Sequence, residues 1–177
     1  MPTENGYYRH PTIQGNTVVF VTEDDLWAVP AEGGTARRLT ACPSQAIFPC
    51  LSPDGTRLAY SSRDEGPYEI YVMDAEGGPS RRLTWLGVTS LVAGWSRDGR
   101  EVLFASDWRR PFSKDQALCS VPAGGGPVRS WNLGPARALS FEPDGPGVVL
   151  ARNSGDPARW KRYRGGTAGT IWIDRRG

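Results

Sequence analysis

Histidine occurs once in this 177-residue chain, at His10, and methionine twice. With a single imidazole, a Ser-His-Asp or Cys-His site has one possible base, and no G-x-S-x-G nucleophile elbow accompanies it. His10 falls in the innermost strand of the first sequence unit, where a structural role is the simpler reading. Three cysteines, Cys42, Cys50 and Cys119, are an odd number at unrelated spacings. They read as reduced thiols of a cytoplasmic protein, because a disulfide framework needs pairs and a zinc or redox site needs a C-x-x-C. No apolar run approaches the ~20 residues that span a bilayer. The opening "MPTENGYYRHPT" has neither the basic nor the apolar region of a secretory signal. Long helices are not expected, since no segment carries an apolar stripe of period 3.6.

Charge of one sign is also scarce. A net charge of +2 gives no general attraction to nucleic acid. The densest basic segment, "ARWKRYRGG" at 158–166, reads as a long excursion between two strands. "AGGGP" from Ala123 lacks the Lys-Ser/Thr of a phosphate loop and reads as a turn. "EDD" at Glu23–Asp25 reads as a solvated junction between strands and not as a metal site. No catalytic residue, cofactor or metal site can be assigned.

What the chain has is a repeat. "VPAEGGTARRLT" at 29–40 returns as "MDAEGGPSRRLT" at 73–84, 44 residues on. "SPDG" at 52–55 returns as "SRDG" at 96–99, also 44 on, and as "EPDG" at 142–145, 46 on. Each x-Asp-Gly signals a tight hairpin, because Gly supplies the left-handed position of the turn. An apolar strand follows each one: "LAYSS", "VLFAS", "VVLA" and, after Gly15-Asn16, "VVFV". A third strand then comes ("LWAVP", "IYVMD", "LCSVP", "IWID"), and a Gly-Gly turn leads to a short outer strand in the first three units.

Units of ~40–45 residues with four antiparallel strands predict a β-propeller. The second strands are apolar at successive positions, as in a sheet covered on both faces. The alternative, two immunoglobulin-type sandwiches, fits poorly with turns recurring in strict order. The predicted blades are 7–40, 45–84, 90–133 and 136–177, the last without its outer strand. Uncovered apolar faces at both ends of such an arc predict self-association through faces or edges, or else closure into a smaller ring.

"SPDGTRLAYSS", "EIYVMDAEGG" and "RRLT" resemble the repeat of TolB-type propellers and of several serine-peptidase propellers. "HPTIQGNTVVFVTEDDLWAVP", "NLGPARALSF" and "WKRYRGGTAGTIWID" narrow the resemblance to the N-terminal region of the tricorn protease family, along essentially the whole chain. The resemblance implies part of a six-bladed propeller in a cytosolic serine peptidase whose catalytic residues lie outside this chain. Implied partners are short peptides and the rest of the peptidase, with no nucleic acid or membrane.

It also implies a passage that holds peptide C-termini through paired arginines in a loop before the inner strand of blade three. This sequence has "WLGVTS" at Trp85–Ser90 there, with no arginine. The nearest substitute is Arg109-Arg110 in "DWRRPF", where two guanidiniums suit bidentate carboxylate recognition. The alternative function is a stand-alone TolB-like interaction scaffold.

Overall fold

The computed structural model describes residues 6–41, 43–152 and 168–176. They form four antiparallel sheets in chain order. Blade one is β1 (Arg9–Gln14), β2 (Thr17–Thr22), β3 (Asp25–Pro30) and β4 (Arg37–Arg38). Blade two is β5 (Ala46–Leu51), β6 (Arg57–Ser62), β7 (Glu69–Asp74) and β8 (Arg81–Arg82). Blade three is β9 (Ser90–Trp95), β10 (Glu101–Ser106), β11 (Ala117–Pro122) and β12 (Arg129–Pro135). Blade four has β13 (Ala138–Phe141), β14 (Val148–Arg152) and β15 (Thr170–Asp174), three strands among the described residues. Strands pair with their sequence neighbours, the meander of a propeller blade.

Two of the three x-Asp-Gly turns close their inner hairpins by one device, while in the third the Glu142 carboxylate accepts the Gly147 amide at 3.0 Å. Asp54 accepts from the Ser52 hydroxyl at 2.5 Å, from the Thr56 amide at 3.0 Å and from the Thr56 hydroxyl at 2.9 Å. Asp98 repeats this with the Ser96 hydroxyl at 2.7 Å and the Arg100 amide at 3.1 Å. Gly55 and Gly99 follow at φ 72° and 66°, where a side chain would be strained.

Burial along each second strand reports its place in the stack. Every residue of β6 and of β10 after the first is buried, as a strand covered on both faces requires. In β2 full burial alternates instead: Val19 and Val21 are at 0%, while Val18 and Phe20 stay half-buried. Blade one is covered on one side only.

Each boundary places small aliphatic residues of one blade against larger residues of the next. Val19, Val21, Leu26 and Ala28 share a cluster with Leu58, Tyr60, Tyr71 and Met73. Ala59, Ile70, Val72 and Leu83 pack with Trp95, Val102, Phe104, Cys119 and Val121. Ala105, Leu118 and Ala136 meet Leu139 and Leu150. Every blade thus has a forward face toward the next blade and a rear face toward the previous one.

Among the described residues, side-chain bonds that end on an x-Asp-Gly or Gly-Gly turn of another blade run forward, whereas Trp95 Nε1 donates back to the Cys50 carbonyl at 2.9 Å and Gln45 back to Asp24 at 2.7 Å. Gln14 donates to the Pro53 carbonyl at 2.7 Å, Arg57 to that of Gly99 at 2.6 Å, and Arg97 to those of Glu142 and Gly147, both at 2.7 Å. On the outer strands, Arg37 donates to the Glu76 carbonyl at 2.6 Å and to its carboxylate at 2.7 Å. Arg81 does the same to the carbonyls of Ala123 and Gly124, at 2.5 and 2.9 Å. All the turn-directed donors reach forward to the following blade, and most of their acceptors are backbone carbonyls.

Two outcomes follow. Phe104, at 0% exposure between blades, should lose ~3–5 kcal/mol on Phe104→Ala. Its counterpart Phe20, on the uncovered rear face, should lose roughly half of that or less; urea denaturation midpoints compare them. Hydrogen bonds from Ser52 and then Thr56 lower the Asp54 carboxyl from 3.8 to about 2. Its stabilising contribution is present above the ordinary value and lost as pH falls through about 2. The denaturation midpoint should therefore fall less steeply in Asp54→Asn than in the parent between pH 5 and pH 2, about where the ordinary and shifted carboxyl values bracket the change.

Candidate functional site

At the end of the stack opposite the x-Asp-Gly and Gly-Gly turns lie the β2–β3, β6–β7 and β10–β11 loops and the connections between blades. The inner strands reach this end through irregularities. Register shifts interrupt β1 between Arg9 and Thr12, β5 between Ile47 and Cys50, and the β9–β10 pairing at Leu103 and Phe104. His10 and Phe48 hold positive φ, 49° and 51°, and a proline follows each. Backbone of this kind costs ~1–3 kcal/mol and persists only when its surroundings fix it. Here the two rings pack on each other with centroids 4.1 Å apart. Burial first, then the neighbouring Arg9 charge, lowers the His10 pKa, so its neutral form is favoured.

A polar chain beside this pair links blades one and two. Asp24 receives Arg9 Nη2 at 2.9 Å and Gln45 Nε2 at 2.7 Å, and Gln45 accepts from the Tyr68 hydroxyl. The Gln45 bond and then the Arg9 bond hold the Asp24 carboxyl below its usual range. The Arg63 guanidinium lies over the Tyr68 ring at 5.9 Å.

The acidic run at 23–25 divides into separate roles. Glu23 and Asp24 turn the chain with φ of 51° and 65°, whereas Asp25 opens β3 and is buried, at 4% exposure. A solvated junction describes only its first two residues. Asp25 accepts the Thr40 hydroxyl at 2.8 Å and pairs with Arg38. Blade two repeats the clamp: Glu69, at 2% exposure, accepts the Thr84 hydroxyl at 2.5 Å and the Gly87 amide at 2.8 Å. In both blades the same threonine oxygen accepts the next strand amide, of Leu26 or Ile70, at 2.9 Å. This clamp ties the outer strand to the third strand. The equal spacing of Asp25 to Thr40 and Glu69 to Thr84, 15 residues in each, was its signal in the sequence. Among the described residues no group of histidine, cysteine and carboxylates is placed to hold a metal ion.

Arg109 and Arg110 lie in the β10–β11 loop and do not converge. Arg110 is engaged with Asp115, through Nε at 3.0 Å and Nη2 at 2.6 Å. Arg109, at φ 58°, turns its guanidinium over Trp108 at 4.3 Å. Of these two, only Arg110 has a carboxylate partner among the described residues. The Trp85–Ser90 connection is short and anchored, with Gly87 bonded to Glu69 and the exposed Trp85 under the Arg82 guanidinium at 5.4 Å. The basic segment at 158–166 lies outside the described residues.

Other candidate nucleophiles are suppressed. Burial pushes the thiols of Cys50 and Cys119 up to about 11, which leaves little thiolate at neutral pH.

The family described as "Tricorn protease N-terminal beta propeller domain" matches residues 5–177. Tricorn protease homolog 1 of Streptomyces coelicolor is 40% identical over 176 residues, covering 98% of this chain and 16% of its own length. A tricorn-like protease N-terminal subunit of Sulfurisphaera tokodaii is 32% identical, with 95% of this chain and 86% of the subunit covered. The crystal structure of the tricorn protease superposes with a TM-score of 0.80 at 29% identity, covering 96% of this chain and 17% of that one. The chain thus spans about a sixth of the Streptomyces relative and most of the Sulfurisphaera subunit. Four meandering blades, matched from one end to the other, place the chain in the tricorn protease family as an N-terminal β-propeller domain.

Proposed function

We propose that this chain is the non-catalytic propeller portion of a cytoplasmic tricorn-like serine peptidase. It guides short peptides to or from a catalytic core carried elsewhere. The observation that carries this reading is a family match along nearly the whole chain, together with side chains that bind each other instead of activating a nucleophile. The lone imidazole packs against Phe48 with the rings tilted, burial favours the protonated form of both described thiols, and the buried loop-end carboxylates Asp25 and Glu69 are committed to threonine, arginine and amide donors. Such an end offers shape and charge. Among the described residues no helix is long and apolar enough to cross a membrane.

Arg109 is the peptide contact this reading favours, because its guanidinium is presented on an aromatic surface without a competing carboxylate. Arg110 serves as a support, fixing the loop through Asp115.

Fluorogenic tri- and tetrapeptides should not be hydrolysed by the purified chain, and turnover that survives repurification would refute the non-catalytic role. Fluorescence anisotropy should show labelled peptides with free C-termini binding more tightly than their amides. Arg109→Ala should remove that preference, about fivefold to tenfold for one charge-assisted contact. Equal binding of acid and amide would remove Arg109 from the site.

A further inference from the structure

The seam between blades two and three departs from the repeat at two positions of one groove. At the seam between blades one and two, Arg37 opens the outer strand, and its guanidinium meets both the carbonyl and the carboxylate of Glu76. Arg81 is its counterpart one blade on. The place of Glu76, directly after the buried alanine of the turn, is there taken by Gly124. Arg81 bonds to the carbonyls of Ala123 and Gly124, at 2.5 and 2.9 Å, and has no carboxylate partner among the described residues.

The second departure is an aromatic ring. After the shared Arg-Arg-Leu-Thr, blade one continues with Ala41 and blade two with Trp85, which is 69% exposed. The ring is propped from one side. The Arg82 guanidinium lies over it at 5.4 Å and is itself held by the Thr84 carbonyl at 2.7 Å and the Glu65 carboxylate at 2.5 Å. Arg81 and Trp85 line the same groove of about 550 Å³, with Leu83 and Val128 as its apolar part and Gly125 and Gly126 opposite. Its lining includes two arginines and, among the described residues, no carboxylate. Arg82 is matched by Glu65 and Glu69, so Arg81 supplies the unmatched charge. Along the groove runs β8, the edge strand of its sheet, bonded to β7 on one side. An open edge is a template for one more strand.

We propose that this groove on the outer rim binds an extended acidic segment of a partner protein, laid along β8 as a fifth strand. A carboxylate of the segment pairs with Arg81, in the role that Glu76 plays for Arg37, and an apolar side chain packs on Trp85. The acidic chemistry follows from the comparison of the two seams: the fold supplies its own carboxylate at one and withholds it at the next. A charge-assisted bond is about twice as strong as a neutral one, so Arg81 gains by exchanging or supplementing its carbonyl partners. Tryptophan and arginine are also the side chains that most often anchor an interface. Both departures from the repeat fall in this groove, and each adds what such a segment needs.

Fluorescence anisotropy tests this with a labelled peptide of about eight residues, long enough for one strand, that alternates glutamate with valine or phenylalanine and is acetylated and amidated at its ends. Capping removes the terminal carboxylate that the guiding role requires, so failure here leaves the Arg109 reading standing. The chain should bind this peptide, and a version with lysine for glutamate should bind about tenfold or more weakly. Gly124→Glu offers Arg81 the internal carboxylate that Glu76 gives Arg37, and should weaken binding about tenfold. A side chain fits at that position, since nothing lies within 4 Å of it and its φ is outside the left-handed region. Trp85→Ala should weaken binding about fivefold or more. Both positions are exposed, and unchanged thermal melts of the two variants would show that the fold is intact. No binding up to about 1 mM peptide would overturn the proposal. So would equal affinity for the lysine version, or affinity untouched by Gly124→Glu.

Discussion

The side-chain bonds that end on the x-Asp-Gly and Gly-Gly turns give the stack a direction. Small aliphatic residues on the forward face of each blade meet larger residues on the rear face of the next, and side-chain donors reach forward over the seam to turn carbonyls. The apolar contact is non-directional and tolerates sliding. The bonds are directional and fix its register. Because they end mainly on backbone carbonyls, the acceptor survives most side-chain changes in the turn. Among the described residues, the two largest clusters of buried residues lie on either side of blade two, at its seams with blade one and with blade three.

The loop end follows from the same arrangement. Outer strands of two residues, β4 and β8, would be weak alone, and the buried Asp25–Thr40 and Glu69–Thr84 clamps hold them to the third strands. Glu69 also fixes the Gly87 amide and so shortens the path into blade three. Asp25 and Glu69, the buried carboxylates of this end, are thus held in structural bonds. The Arg9–Asp24–Gln45–Tyr68 chain and the His10–Phe48 pair join blades one and two at this end.

Much of this was legible in the sequence because the repeat is written at a constant spacing. The 44-residue recurrence, the x-Asp-Gly turns and the unbroken apolar runs of β6 and β10 specify four-stranded sheets covered on both sides. The same kind of run in β2 gave no hint that one face is open, since composition records what a strand can bury and not whether a neighbour is present. The acidic run at 23–25 misled for a related reason. Charge suggests solvent, yet Asp25 is buried because Thr40 and Arg38 stand over it, 15 and 13 residues away. Adjacent arginines likewise suggested a joint clamp, but the loop sends Arg110 to Asp115 and turns Arg109 onto Trp108. The left-handed backbone at His10 and Phe48 had no sequence signal beyond the prolines that follow them.

Because plug and socket sit on opposite sides of every unit, one 44-residue module contains all the instructions for joining its own duplicate. A tandem gene duplication would therefore lengthen the arc without altering its flanks, and a deletion would shorten it just as cleanly. Blade number in such a lineage can change by whole units, while the chemistry of each seam stays under selection within a single copy.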